Sequence, residues 1–105
     1  MFIAVYRWKV KSGLEDQFRE AWRRGTVAIH RRHGSFGSRL HRTRGGDFVG
    51  YAQWPSEQLW QQVFDAGFPH DDKEAARLFR DAIETSHGPE LLMEVTDDLL
   101  DLIRA

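Results

Sequence analysis

Apolar positions in the first third of the chain follow two different periods. In Phe2–Val10, aromatic and β-branched residues occupy both odd and even positions, which predicts a strand covered on both faces. From residue 14 the apolar positions recur every three or four residues, which predicts an amphipathic helix. Its stripe comprises Leu14, Phe18, Ala21, Trp22, Gly25 and Ile29. We expect this helix to begin at a capping box of Ser12 and Glu15 and to end at Gly34.

The middle of the chain alternates polar and apolar residues in two short segments. Phe36–Thr43 and Asp47–Trp54 are predicted strands. Gly45 and Gly46 lie between them, and both positions tolerate a positive φ, so we expect a two-residue hairpin turn.

The second half shows two shorter helical patterns. Ser56 caps the first, Glu57–Ala66, and Gly67-Phe68-Pro69 ends it. Asp71 and Glu74 form a capping pair for the second, which carries apolar residues as far as Ile83.

The end of the chain has its own stop signals. We expect the last helix to end before His87-Gly88-Pro89. The favourable interaction of a histidine with the C-terminal end of the helix dipole explains His87 at this position. A final strand, Leu91–Thr96, and an acidic amphipathic tail, Asp97–Arg104, follow.

This order, β-α-β-β-α-(α)-β, predicts one α+β domain over residues 1–105, a ferredoxin-like sandwich with an antiparallel sheet and helices on one face. Strands 1 and 3 are nevertheless apolar on both sides. A second copy of the chain, packed sheet against sheet, would bury this face in both subunits. We therefore expect a homodimer that forms an α+β barrel.

Composition narrows the class of protein. The 105 residues include no cysteine, which excludes disulfides and thiolate metal sites and favours a cytoplasmic protein without a membrane segment. Net charge is −1, but residues 1–54 carry +7 and residues 55–105 carry −8. The two halves of so small a domain pack together, so mutual neutralisation explains this asymmetry better than phosphate binding does.

Four stretches, spread from residue 2 to residue 101, resemble one known family, so the resemblance extends over nearly the whole chain. They are FIAVYRWKVKSGLEDQFREAW, GSFGSRLHR, DFVGYAQWPSEQLW and MEVTDDLLD. The chain is similar to the antibiotic biosynthesis monooxygenase (ABM) family of dimeric α+β barrels. The resemblance implies a small apolar pocket between sheet and helices, and a cofactor-independent monooxygenase acting on a small aromatic or polycyclic phenol or hydroquinone. It implies neither a cofactor-binding residue nor a metal ligand.

Oxygenation without a cofactor needs a phenol anion held by fixed hydrogen-bond donors in a dry pocket. The catalytic candidates on segments that line the pocket of the resembled fold are Tyr51, Trp60, Arg39 and His41, and the substrate-pocket candidates are Tyr6, Trp22, Tyr51 and Trp60. Each has a structural alternative. The tryptophans lie on apolar helix stripes, the tyrosines on central strands, and Arg39 with His41 on a face that solvent or acidic residues can cover.

Two other functions of the same fold stay open at this point. One is a non-catalytic protein that binds a small molecule. The other is haem degradation. The haem-degrading branch of this fold resembles a pattern of an asparagine on strand 1, a tryptophan on the second helix and a histidine soon after. Here Tyr6 stands at the strand position, Trp60 falls early in its helix, and His70 lies beyond the Gly-Phe-Pro helix break. A metal site could be suggested by the histidines, His30 and His33 together with His41, His70 and His87, but the arginines next to the first pair repel a cation.

Residues 44–51, RGGDFVGY, fit an RNA-recognition strand at five of seven specified positions. Gly46 stands where a base-stacking aromatic is needed, and Asp47 would repel phosphates. The turn and the core explain this segment without a nucleic acid, so we expect a small aromatic ligand as the partner.

Overall fold

A computed structural model of the chain describes residues 1–102 and shows seven elements. The bounds are β1 Phe2–Val10, α1 Glu15–His33, β2 Gly37–Arg42, β3 Phe48–Trp54, α2 Glu57–Asp65, α3 Lys73–Ala82 and β4 Ile83–Glu94. The strands form one antiparallel sheet in the order β2-β3-β1-β4. The predicted ferredoxin-like α+β fold is therefore confirmed.

The core lies between one face of the sheet and the helices. Even-numbered residues of β1 and β3 point to this face, because side chains alternate along a strand and these residues meet the helices. One cluster centres on Trp54 and Trp60, and a second on Trp8, Phe18 and the end of α3. The predicted stripe of α1 faces this core, where Phe18 and Ala21 are buried.

The start of α1 differs from the prediction. The helix begins at Glu15, its N-cap is Leu14, and no side chain caps it. A turn precedes it, in which Leu14 N–H donates to the Lys11 carbonyl at 3.0 Å, and Gly13 has φ +87°. The predicted box of Ser12 and Glu15 is wrong because Glu15 is the first helical residue, not the third. Gly34 does end α1 in the left-handed conformation.

The hairpin between β2 and β3 has a longer turn than predicted. Arg42 pairs with Phe48, and Thr43 N–H donates to the Asp47 carbonyl at 2.8 Å, so Arg44, Gly45 and Gly46 form a three-residue loop. Gly46 has φ +97°, whereas Gly45 does not have a positive φ. Only Gly46 therefore occupies a turn position that requires a positive φ.

The last helix and strand also move relative to the prediction. Ser56 caps α2 as expected, but Asp72, one residue after Asp71, caps α3 through the Ala75 N–H. Helix α3 ends at Ala82 and β4 begins directly, so His87 lies in the strand and not at a helix end. Pairing with β1 extends β4, with register shifts along it. Within the acidic tail, residues 103 and 104 lie outside the described residues.

Candidate functional site

A cavity of about 440 Å³ lies between the helix-covered face of the sheet and α1, α3 and the α2–α3 loop. Aromatic and small residues dominate its lining. Its walls include Tyr6, Trp8, Trp22, Gly25, Trp54, Phe64, Phe68, His70, Phe79 and Arg80. The size and apolar walls are those of a pocket for a small organic molecule.

The floor of the pocket comes from β1 and β3. Tyr6 and Trp8 stack with ring centroids 5.8 Å apart. Gly50 of β3 lies under Trp8, where a Cβ would come within 2.8 Å of the indole ring. A glycine at this strand position therefore allows the indole of Trp8 to lie flat against the sheet.

Tyr6 presents a hydroxyl at the edge of this floor. Its oxygen accepts a hydrogen bond from Trp60 Nε1 at 2.7 Å. Burial raises the pKa of Tyr6 to about 12, although the Trp60 hydrogen bond acts in the opposite direction. The hydroxyl therefore keeps its proton at neutral pH. Since the oxygen is already an acceptor toward Trp60, that proton is available to a ligand.

Trp54 carries an unsatisfied donor in the same wall. The residue is 2% exposed, and its Nε1 has no hydrogen-bond partner among the described residues. Buried donors without partners are rare and costly in folded proteins. Because almost none of the surface of Nε1 is accessible, a molecule in the pocket does not reach this donor in the described conformation.

His70 closes the pocket from the α2–α3 loop and is 8% exposed. Its Nδ1 accepts the Asp72 N–H at 3.2 Å, and its Nε2 lies 3.7 Å from the place that a Cβ on Gly25 would occupy. Burial lowers the pKa of His70 below the ordinary value of 6.5. The imidazole is therefore neutral at pH 7.

Four hydroxyl groups in the lining both donate and accept hydrogen bonds, those of Thr26, Ser35, Ser38 and Ser86, and the other polar groups are mostly donors. No aspartate or glutamate is among the described residues that line it, and Arg80, exposed on α3, places one cation there. Such a lining suits a ligand whose polar atoms are acceptors, above all an oxygen anion.

The structure divides the sequence-predicted residues between two places. Tyr6 and Trp22 line the pocket. Trp60, 1% exposed, lies behind the wall and reaches the pocket through its hydrogen bond to Tyr6. Its contribution is to hold the Tyr6 hydroxyl in place.

Tyr51, Arg39 and His41 lie on the opposite side of the sheet. Tyr51 pairs directly with Arg39 and with Val5, whereas the neighbouring residues Gly50 and Ala52 face the helices. Arg39 and His41 are exposed on β2, the edge strand. None of the three belongs to the pocket of the single chain. Strand alternation separates them from it, and their catalytic role stays a prediction.

Trp54 and His70 were not among the catalytic and substrate-pocket candidates, although His70 was considered for haem degradation. Trp54 could have been found, because it continues the even-numbered face of β3 on which Ala52 lies. His70 follows Gly67-Phe68-Pro69, which breaks the helical pattern. No periodicity in the sequence indicates that this loop folds back over the sheet.

Comparison with protein families identifies the class. Residues 1–66 match the family model described as antibiotic biosynthesis monooxygenase, so the chain belongs to this family. Comparison with curated protein sequences gave no match.

Solved structures share the fold over almost the whole chain. One is SnoaB, a cofactor-independent oxygenase from Streptomyces nogalater, with 20% identity, a TM-score of 0.69, and coverage of 95% of this chain and 97% of that one. Another is Rv0793 from Mycobacterium tuberculosis, with 9% identity, a TM-score of 0.64, and coverage of 92% and 96%. At these identities the likeness establishes the fold.

Residues 1–102 contain neither a cluster of metal ligands nor a membrane-spanning helix. No group of three or more histidine, aspartate or glutamate side chains in this part of the chain is arranged to hold a metal ion. No helix there is long and apolar enough to cross a membrane.

Proposed function

We propose that the protein is a cofactor-independent monooxygenase whose substrate is a small aromatic or polycyclic phenol or hydroquinone. The observation that carries this proposal is the pocket of about 440 Å³, with aromatic walls and polar groups that donate hydrogen bonds. Membership of the antibiotic biosynthesis monooxygenase family supports it. So does the shared fold with SnoaB, which is described as a cofactor-independent oxygenase.

The reaction that fits this pocket converts a phenol and dioxygen into a quinone and water. The phenol anion supplies the electrons, one oxygen atom enters the product, and the other leaves as water. The protein contributes fixed donors and a site that excludes water. Tyr6 O–H is the donor of the sheet that stabilises the anion.

The pocket stabilises an anion better than it produces one. Tyr6 keeps its proton, and no carboxylate is among the described residues that line the pocket. The substrate is therefore a phenol that ionises readily near neutral pH, such as a hydroquinone conjugated to a carbonyl group. A general base is then not required.

The same observation favours a second candidate, a non-catalytic protein that binds an aromatic ligand in this pocket. Without a base, the site holds such a molecule whether or not it reacts. Haem degradation is the third candidate. A haem group would occupy the same cavity, and His70 is the histidine in its lining that could contact it.

A homodimer is part of the proposal. The face of the sheet opposite the pocket carries Val5, Val49 and Tyr51, all half-buried, together with Met93 at 38% and Leu91 at 57% exposure. A second copy docked by this face would cover these side chains. Arg39 and His41 would then lie near the subunit boundary. A cytoplasmic location stays a prediction from the composition.

The direct test is oxygen consumption with a panel of hydroquinones and polycyclic phenols, with product formation followed by absorbance. We expect Tyr6→Phe to lower kcat about tenfold or more, because it removes a donor to the anion. Tyr51→Phe, on the opposite face, tests the catalytic role predicted for that residue; the pocket proposal expects it to change kcat little.

Each outcome assigns one of the candidates. Binding without turnover by any compound of the panel would overturn the enzyme and leave the binding protein. Haem titration, followed by the Soret band and by bile-pigment products, tests the third candidate. Loss of activity in Tyr51→Phe, with Tyr6→Phe unaffected, would move the active site to the opposite face.

A further inference from the structure

His70 is a buried polar residue that the proposed chemistry does not yet use. It lines the pocket, and its Nε2 has no hydrogen-bond partner among the described residues. Tyr6 belongs to the sheet, whereas His70 belongs to the loop that packs against α1. The pocket therefore presents polar groups from two different walls.

The backbone fixes which ring nitrogen of His70 carries the proton. Nδ1 accepts the N–H of Asp72, two residues further on. A neutral imidazole has one acceptor and one donor nitrogen, so Nε2 carries the proton. The low pKa of His70 keeps this neutral form at pH 7. Nε2–H is consequently a donor and not a base.

Helix α1 holds the loop on both sides of His70. His33 Nε2 donates to the Pro69 carbonyl at 2.6 Å, and Arg24 donates to both carboxylate oxygens of Asp72 at 2.7 and 2.9 Å. These bonds fix the residues directly before and two residues after the imidazole. His70 is thus positioned before any ligand enters.

Gly25 leaves space beside Nε2. It lies inside α1, where alanine is the better helix former, and a Cβ there would meet His70 Nε2 at 3.7 Å, an ordinary contact distance. Neither backbone conformation nor packing therefore requires a glycine. Its effect is to leave the Nε2 donor open to the pocket.

We propose that His70 determines specificity by donating its Nε2–H to a second oxygen atom of the ligand, across the space that Gly25 leaves open. The Tyr6 hydroxyl of the sheet binds one oxygen, and His70 binds another at a different edge of the same ring system. The ligand class is then an aromatic compound with oxygen atoms on two edges. This assignment rests on the proposed function.

The test compares two probes, 1,4-dihydroxynaphthalene kept without oxygen and naphthalene, by quenching of tryptophan fluorescence. The decisive variant is His70→Asn. Its side-chain oxygen can still accept the Asp72 N–H, as asparagine does two residues before an amide in turns. Its amide nitrogen then takes the place of Cδ2, so no donor remains at the position of Nε2. We expect a dissociation constant about tenfold higher for the diol and unchanged for naphthalene.

Gly25→Ala is the second variant, because its methyl group covers Nε2 while His70 stays intact. We expect a similar loss of diol affinity with an equal or higher Tm. Combined with Tyr6→Phe, His70→Asn should give losses that multiply, since the two donors bind different oxygens. Losses that do not multiply would place both donors on one oxygen and overturn the two-edge assignment.

The failures of the two proposals are distinguishable. Wild-type protein that binds neither probe would contradict the proposed function. Wild-type protein that binds the diol, with equal affinity in His70→Asn, would overturn the role of His70 alone. If that variant does not fold, ¹⁵N–¹H spectra of the wild-type imidazoles decide. A proton on Nδ1 of His70, or no change on adding the diol, would also overturn it.

Discussion

At the scale of single residues, Tyr6 shows how surroundings decide a role. Its oxygen accepts from Trp60 Nε1, a donor that is itself buried, and its proton is left for the pocket. The residue type alone would allow Tyr6 to act as a base or as a hydrogen-bond donor. Burial decides between them, because it raises the pKa to about 12 and keeps the hydroxyl protonated.

The raised pKa of Tyr6 makes stability depend on pH in the alkaline range. The unfolded chain releases this proton near the ordinary pKa of 10.0, whereas the folded chain holds it to about 12. The contribution is therefore complete below pH 10 and is lost as pH rises toward 12. Urea unfolding of wild-type protein and Tyr6→Phe at pH 9, 10 and 11 measures it.

We expect Tyr6→Phe to unfold about 1–3 kcal/mol more easily at pH 9, because Trp60 Nε1 loses its acceptor. This difference in the free energy of unfolding should shrink as pH rises, because only the wild type has the Tyr6 hydroxyl and loses its contribution to stability. Tyr51→Phe is the control. Parallel pH curves for wild type and Tyr6→Phe would show that burial of the Tyr6 hydroxyl does not govern this range.

At the scale of elements, the first residues of the three helices show that a capping residue expected from the sequence does not always cap the helix. Ser56 and Asp72 accept backbone N–H groups of α2 and α3, at 3.1 and 3.0 Å. Ser12, with the same sequence signature, caps nothing because a turn at Gly13 delays α1. Sequence spacing identifies a capping residue only when the helix begins directly after it.

We expect Ser56→Ala to lower the free energy of unfolding by about 1 kcal/mol, the usual value of a lost N-cap. Ser12→Ala is the matched control and should change it by less than about 0.5 kcal/mol. Chemical denaturation at 25 °C compares the two. A loss in Ser12→Ala as large as that in Ser56→Ala would mean that a capping box does form at α1.

At the scale of the whole molecule, the sheet has one face packed on helices and one face without them. Ion pairs connect the basic first half to the acidic second half, as Arg24 does with Asp72 and Glu74 and Arg32 does with Asp71. The charge asymmetry therefore serves packing within the chain. The unpacked face carries apolar groups, which is the physical basis for the proposed homodimer.

Leu91 and Leu92 are a matched pair for testing the homodimer. Leu91 pairs with Val5 on the open face, whereas Leu92 pairs with Ala4 on the helix side and is 45% exposed. In a symmetric dimer, Leu91→Lys removes a buried leucine from each subunit. Each loss weakens the association by about 1.5–3 kcal/mol. We expect a dissociation constant higher by about two orders of magnitude or more.

Light scattering after size exclusion measures this effect. Wild-type protein and Leu92→Lys should show twice the chain mass of 12.3 kDa, and Leu91→Lys should approach 12.3 kDa on dilution. Wild-type protein that stays monomeric would contradict the homodimer. Dissociation by Leu92→Lys but not by Leu91→Lys would place the interface elsewhere.

The hydrophobic pattern alone determined the order of the elements, the antiparallel α+β fold and the inward stripe of α1. These follow from periods of 3.6 and 2, which are properties of neighbouring residues. The resemblance to the family, rather than the pattern, indicated Tyr6 and Trp22 as pocket residues, and both line the pocket.

Tertiary structure decided what depends on residues distant in sequence. Tyr51, Arg39 and His41 share the outer face because strand pairing fixes which side alternate residues take. His70 enters the pocket because His33 and Arg24 of α1 hold its loop. The full length of β4 comes from pairing with β1, which overrides the local stop signal at Gly88 and Pro89.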